Sequence, residues 1–198
     1  MCAFAVAGRT AYSIAGGRRQ IGRSASRTRC AGRMRSMKAH AILFCCTGNI
    51  CRSPTAEGVF AKKVSDAGWA GRIRVDSAGT HGYHIGEPPD PRSQSAARAR
   101  GYDLSALRAR RFERGDFERF DLVLAMDEDN RAFLARLCPP GSGHKLKLMM
   151  EYARGYAVRE VPDPYYGGPD GFELVLEMLE DAADGLLQAI LSAQSSKR

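Results

Sequence analysis

FCCTGNICRSPTAEG, Phe44 to Gly58, places a short polar loop between an apolar run and a Ser-Pro helix start. Upstream, HAILFC (His40–Cys45) reads as a buried strand that ends at the Thr-Gly-Asn turn. Downstream, SPTAEGVFAKKVSDAG predicts a helix, with Ser53 as cap, Pro54 in the first turn and Gly68 as stop. A strand, a Gly-bearing loop and a helix in that order aim backbone N–H groups at one spot, and the helix dipole adds positive potential there. This is an anion site of phosphate size. Gly48 permits a positive-φ turn and Asn49 tolerates one. Arg52 can grip two phosphate oxygens through its planar fork.

Further strands and helices alternate along the chain. RIRVDSAG (Arg72–Gly79) reads as a strand, and DPRSQSAARARG as a helix with Asp90 as cap, Pro91 in its first turn and Gly101 at its end. FDLVLAM (Phe120–Met126) is a third strand, DEDNRAFLARLCPP a helix opened by acids and stopped by prolines, and HKLKLMM (His144–Met150) a fourth strand. In the last segment Phe172, Val175, Leu176, Leu179, Ala183, Leu186, Leu187 and Ile190 share one helical stripe. This pattern predicts an α/β domain: a single open four-stranded parallel sheet, helices on both faces, and the phosphate-binding loop after the first strand. Ligands of such sheets sit beyond the carboxyl ends of the strands, where this loop falls.

Cys46 and Arg52 bracket five residues, so a wrapped loop turns both toward one oxyanion. A thiol in that field is expected to ionise near neutral pH, since such settings lower its pKa from ~8.5 to roughly 3.5–7.5. A thiolate beside a phosphoryl group is a nucleophile for phosphorus. Cys45 is one position off and is expected to point into the core on the other sheet face. Cys51 is expected on the rim, with two roles open: a reversible disulfide with Cys46 or plain packing. Thr47, Gly48, Asn49, Ile50, Cys51 and Ser53 form the expected substrate-binding loop. No second Cys/His pair supports zinc, so no metal or cofactor is expected. The nucleotide-type Gly-x4-Gly-Lys-Ser/Thr pattern is missing, and GSGHK (Gly141–Lys145) reads as a turn.

VPDPYYGG supplies a second piece. Cleaving a phosphate ester leaves an oxyanion that needs a proton, and a carboxyl group can supply it and then activate water. Asp163 is the candidate, stiffened by Pro162 and Pro164. Tyr165 and Tyr166 offer aromatic walls.

Charge excludes other classes. The 198 residues carry a formal net charge of +8, with 44% hydrophobic and 26% charged residues. Residues 1–38 hold nine of the 30 basic groups and no acid. The rest holds 21 basic against 22 acidic groups, so the body gives no charge-based case for nucleic acid. Residues 1–38 are expected to be a disordered basic leader, with residues 39–198 as the catalytic domain. Three readings of the leader stay open: an extension upstream of a start at Met34 or Met37, a basic tail, or an organelle transit peptide. No run approaches a membrane span, so no membrane partner is expected. Six cysteines, three of them in one loop, are not a disulfide framework, and suggest a reducing, cytoplasmic setting.

CTGNICRSP (Cys46–Pro54) together with VPDPYY (Val161–Tyr166) resembles the low-molecular-weight protein-tyrosine phosphatase family, as do DSAGTHGYHIGEPPDPRS and FDLVLAMDEDN. The likeness runs from His40 to Gln194 and excludes the leader. It implies metal-free hydrolysis of phosphotyrosine through a phosphocysteine, with Cys46 as nucleophile, Arg52 as phosphate clamp and Asp163 as general acid/base. It implies that Asn49, Ser53 and Ser77 brace the loop, and that Tyr83 and Tyr165 sandwich the substrate ring. Implied partners are phosphotyrosine proteins, in bacteria often tyrosine kinases of polysaccharide export. Ala106 stands where many relatives carry a loop-bracing His. Two rivals share the scaffold. Protein-arginine phosphatases resemble CTGNTCRSP, with Thr where this chain has Ile50. Arsenate reductases need resolving cysteines, and Cys138 alone is available downstream.

Overall fold

The protein is described from a computed structural model, whose described residues are 40–195. The expectations for residues 1–38 lie outside them. Strand β1 (His40–Cys46) leads into helix α1 (Arg52–Asp66), then β2 (Ile73–Gly79) and α2 (Pro91–Ala99). A four-residue helix α3 (Asp116–Arg119), β3 (Leu122–Ala125), α4 (Glu128–Leu137), β4 (Leu146–Leu148) and the long α5 (Pro169–Ser195) follow. The four strands form one sheet in the order β2-β1-β3-β4, with every pair parallel. The expected fold is the observed one.

β1 is central because it is apolar on both faces. Ile42, Phe44 and Cys46 face a core closed by α1 and α5, with Val59, Phe60, Val175, Leu176 and Leu179. Leu43 and Cys45 face the opposite core, with Phe112, Phe117, Phe120 and Leu134. The two-residue period therefore sends the neighbouring thiols to opposite faces. The chain leaves β1 to one side for β2 and later returns to the other side for β3. Such a reversal opens a crevice at the carboxyl end of the strand, and residues 47–51 occupy it.

The α5 stripe is buried as expected, with Leu187 partly so. Each fully buried Val, Leu, Ile or Phe side chain of the stripe contributes about 1.5–3 kcal/mol of burial. α5 crosses a 3-10 turn at Met149–Tyr152 through Gly185. A Cβ at Gly185 would stand 1.9 Å from the Tyr152 carbonyl oxygen, so only glycine permits this approach.

Two boundaries differ from the expectation. α1 starts at Arg52, and Cys51 occupies the cap position without a side-chain cap bond. The Ser53 hydroxyl is drawn to the Cys46 sulfur and the Asn49 amide instead. β4 is three residues long, because 3-10 turns take Gly143–Lys145 before it and Met149–Tyr152 after it. It is an edge strand paired with β3 alone.

Candidate active site

The loop after β1 is held by its own side chains. Asn49 takes the positive φ of 58°. Gly48 does not, contrary to the expectation. Its missing side chain serves packing, since a Cβ there would meet His84 Cδ2 at 3.1 Å. The strain of Asn49 is offset by full use of its side chain. Its Oδ1 accepts from Arg110 N at 2.9 Å, which fixes the amide orientation. Its Nδ2 then donates to Ser53 Oγ at 2.9 Å and to Ser77 Oγ at 2.8 Å. The end of β2 supports the loop from below: Thr80 N donates to Cys46 O and His81 N to Thr47 O.

These bonds have a direction. Ser77, accepting from Asn49, donates to Glu57 Oε2 at 2.6 Å. Ser53, also accepting from Asn49, has one proton to give. Its oxygen lies 3.0 Å from Cys46 Sγ and 3.5 Å from Ala78 O, so the sulfur is the nearer acceptor for that proton. Asn49 N–H points at the same sulfur from 3.3 Å. Cys46 is 2% exposed, and Ser53 Oγ and Asn49 N are the two donor groups beside its sulfur.

Its neighbours are different. Burial, followed by repulsion from Cys46, raises the Cys45 thiol well above its ordinary value. Burial, then the Asp90 and Cys46 charges, pushes Cys51 up to about 12. Cys51 lines the cleft but is 5% exposed, so it belongs to the floor and not to the expected rim. All three thiols are free.

Arg52 is buried beneath the loop, with partners at both terminal nitrogens. Nη1 reaches Asp127 Oδ2 at 2.5 Å and Val161 O at 3.2 Å. Nη2 reaches Asp163 Oδ2 at 2.8 Å and Thr47 Oγ1 at 3.4 Å. Burial works against its charge, but Cys46, Asp163 and Asp127 together outweigh that and raise its pKa. Asp127 was not singled out from the sequence. It caps α4 through Asn130 N at 2.6 Å and anchors Arg52 with its other oxygen. Its position at the carboxyl end of a strand, opening a helix, was the available signal. Asn130 Nδ2 donates to Thr47 Oγ1, a second tie from α4 to the loop.

The cleft has a volume of about 270 Å³. Cys46, Thr47, Gly48, Ile50, Cys51 and Arg52 form its floor. Tyr83, His84, Asp163, Tyr165 and Tyr166 stand around it. Tyr83 is 70% exposed and stacks on His81 with centroids 5.2 Å apart. Tyr165 meets Tyr166 edge-on at 5.0 Å. Asp163 is half-exposed, and its Oδ1 accepts from Tyr165 N at 3.1 Å. Every residue expected at the site is therefore brought together, with Asn49, Ser53 and Ser77 one layer behind the floor. His84 and Glu57 were missed, because a loop histidine and a mid-helix glutamate carry no spacing signal. Among the described residues no group of His, Cys, Asp and Glu could hold a metal.

Comparison with known proteins agrees with this geometry. Residues 41–196 match the family model for low molecular weight phosphotyrosine protein phosphatases. A low molecular weight protein-tyrosine-phosphatase of Streptomyces coelicolor is 47% identical over 152 residues, covering 75% of this chain and 92% of its own. The human low molecular weight phosphotyrosine protein phosphatase is 42% identical over 147 residues, covering 73% and 91%. A crystal structure of a protein tyrosine phosphatase from Entamoeba histolytica, 38% identical, superposes with a TM-score of 0.76 over 79% of this chain and 99% of that one. A loop of converging donors, a buried arginine and a match spanning the whole described sheet lead to one statement: the chain belongs to the low molecular weight phosphotyrosine protein phosphatase family.

Proposed function

We propose that this protein hydrolyses phosphotyrosine in proteins through a cysteinyl-phosphate on Cys46. The observation that carries the proposal is the pair of donors, Ser53 Oγ and Asn49 N, directed at one buried sulfur on the floor of an aromatic-walled cleft. The phosphoryl group enters the loop, where the backbone N–H groups and the Arg52 fork bind its equatorial oxygens. The Cys46 thiolate attacks phosphorus in line, forming the S–P bond as the P–O bond to the tyrosine breaks. Protonated Asp163 gives its proton to the departing phenolic oxygen. Tyrosine leaves, and the Asp163 carboxylate takes a proton from a water that attacks phosphorus. The S–P bond breaks, inorganic phosphate departs and the thiolate is regenerated.

The aromatic walls of the cleft favour an aryl ester. Tyr83 and Tyr165 offer ring faces, and Ile50 gives apolar contact at the floor. Ile50 brings no hydroxyl to position water at a P–N centre, which speaks against phosphoarginine. Phosphotyrosine proteins, a tyrosine kinase among them, are the proposed partners. Free thiols fit a cytoplasmic setting. Among the described residues no helix is long and apolar enough to cross a membrane.

The test compares phosphotyrosine and phosphoarginine peptides of one sequence with wild type and Cys46→Ser. Wild type should favour phosphotyrosine by at least about 100-fold in kcat/KM, as expected when a site is built for one leaving group. Cys46→Ser should lose turnover. Equal rates on both peptides would defeat the substrate assignment, and turnover by Cys46→Ser at the wild-type rate would defeat the nucleophile.

A further inference from the structure

Among the described residues, two side chains from other segments hydrogen-bond to residues 163–168. One bond runs from Arg52 to Asp163, the other from Arg92 Nη1 to Tyr165 O at 3.1 Å. The remaining bonds of this loop are local contacts of backbone N–H groups: Tyr165 N to Asp163 Oδ1, Gly167 N to Pro164 O, and Gly171 N in the first turn of α5 to Gly168 O. Under the proposed mechanism the first tie is lost at the moment it matters. Asp163 must then carry its proton, and Arg52 must turn its fork to phosphate. The Arg92 tie remains.

Arg92 is built for the task. Its Nε and Nη2 hold Asp90 Oδ1 and Oδ2 at 3.0 and 2.8 Å, a bidentate pair that fixes the guanidinium plane. Asp90 is buried and caps α2 through Arg92 N at 2.8 Å. Its own N–H donates to Ile50 O in the phosphate loop at 2.8 Å. One face of the guanidinium lies 4.5 Å from the Phe172 ring centroid at the start of α5, and the Tyr165 ring centroid is 5.5 Å away. A continuous path thus runs from Ile50 through Asp90, Arg92 and the Tyr165 peptide to the Asp163 carboxyl.

We infer that Arg92 is a positioning residue for the general acid: it holds the Asp163 loop in register with the phosphate loop after Arg52 has let go. The inference rests on the proposed acid role of Asp163. Lysine cannot reproduce it, because one ammonium cannot hold both Asp90 oxygens and the Tyr165 carbonyl in a fixed plane.

The experiment is a series of aryl phosphates with leaving groups from dinitrophenol to phenol, run on wild type, Asp163→Asn, Arg92→Ala and Arg92→Lys. Vanadate affinity and thermal melting are measured on each. Loss of proton donation is felt by poor leaving groups and hardly by good ones. Arg92→Ala should lower kcat/KM on phenyl phosphate, which reports the step that expels the leaving group, about 10- to 100-fold, the cost of roughly an ångström of misplacement. On dinitrophenyl phosphate the loss in kcat/KM should stay within about threefold, with vanadate affinity unchanged, because Arg52 and the loop amides are untouched. Arg92→Lys should fall between, which keeps the test decisive if the alanine variant folds poorly. A uniform loss across the series, or a parallel loss of vanadate affinity, would make Arg92 a purely structural residue and overturn the inference. A steep response in Asp163→Asn with flat responses in both Arg92 variants overturns the Arg92 role alone. A flat response in Asp163→Asn removes the acid assignment, and the Arg92 inference with it.

Discussion

The three thiols of Cys45, Cys46 and Cys51, close in sequence, differ because each meets a different surrounding. Cys46 receives two hydrogen bonds, whereas Cys45 and Cys51 are held as thiols by burial and nearby negative charge. Iodoacetate at neutral pH should therefore modify Cys46 before either neighbour, and vanadate should protect it. Peptide mass mapping after brief exposure checks this. Faster modification of Cys51 would contradict it. Glu57 makes a second case at this scale. Burial raises its pKa above the ordinary 4.5, while the Ser77 bond pulls the other way. Between the ordinary and the raised value, the folded chain binds more protons than the unfolded one. Stability therefore falls as pH rises through that window and levels off above it. Glu57→Gln keeps an acceptor for Ser77 and removes the charge. Urea unfolding across pH should show the wild-type decline and lack its Glu57 share in the variant; parallel curves would contradict this. The spacing of Cys46 and Arg52 was legible in the sequence because both lie on one local turn. Glu57, Asp127 and Arg92 were not, because their roles depend on which distant segments fold against them.

Elements were legible where a pattern was local. The α5 stripe, the Asp90-Pro91 start of α2 and the apolar β1 and β3 all read correctly from spacing. The failures came from tertiary demand. Ser53 has the chemistry of a cap, but the nearby Cys46 sulfur and Asn49 amide compete for its hydroxyl and win. β4 shrinks because it borders the sheet and its flanks turn away into 3-10 geometry. Gly185 carries a prediction of its own. It sits inside a 27-residue helix, where alanine would ordinarily add up to about 1 kcal/mol. Here a Cβ meets backbone, so Gly185→Ala should cost at least about 1–3 kcal/mol, read as a lower urea midpoint. Gly58 in α1 is the control. Its Cβ would meet the far end of the Leu104 side chain, which can move, so the loss there should be smaller. A stabilised Gly185→Ala would show that the helix crossing is looser than described.

At the scale of the molecule, strand order makes the site. Because β1 lies between β2 and β3, its carboxyl end opens into the crevice where the loop, Arg52 and Asp163 meet. The alternation of strands and helices made the parallel sheet legible. The strand order and the path from α2 through Arg92 to the Asp163 loop are long-range facts that no local spacing encodes. The sheet supplies a rigid β1, the loop supplies donors, and Asp127 and Asp163, from two other segments, both hold the Arg52 guanidinium. The most direct measurement mixes the enzyme with a phosphotyrosine peptide, quenches in acid within the first turnover and maps the phosphorylated peptide. The account predicts a phosphoryl group on the Cys46 sulfur, formed as tyrosine is released and absent in Cys46→Ser. Phosphate release without any such adduct, or an adduct on another residue, would contradict it.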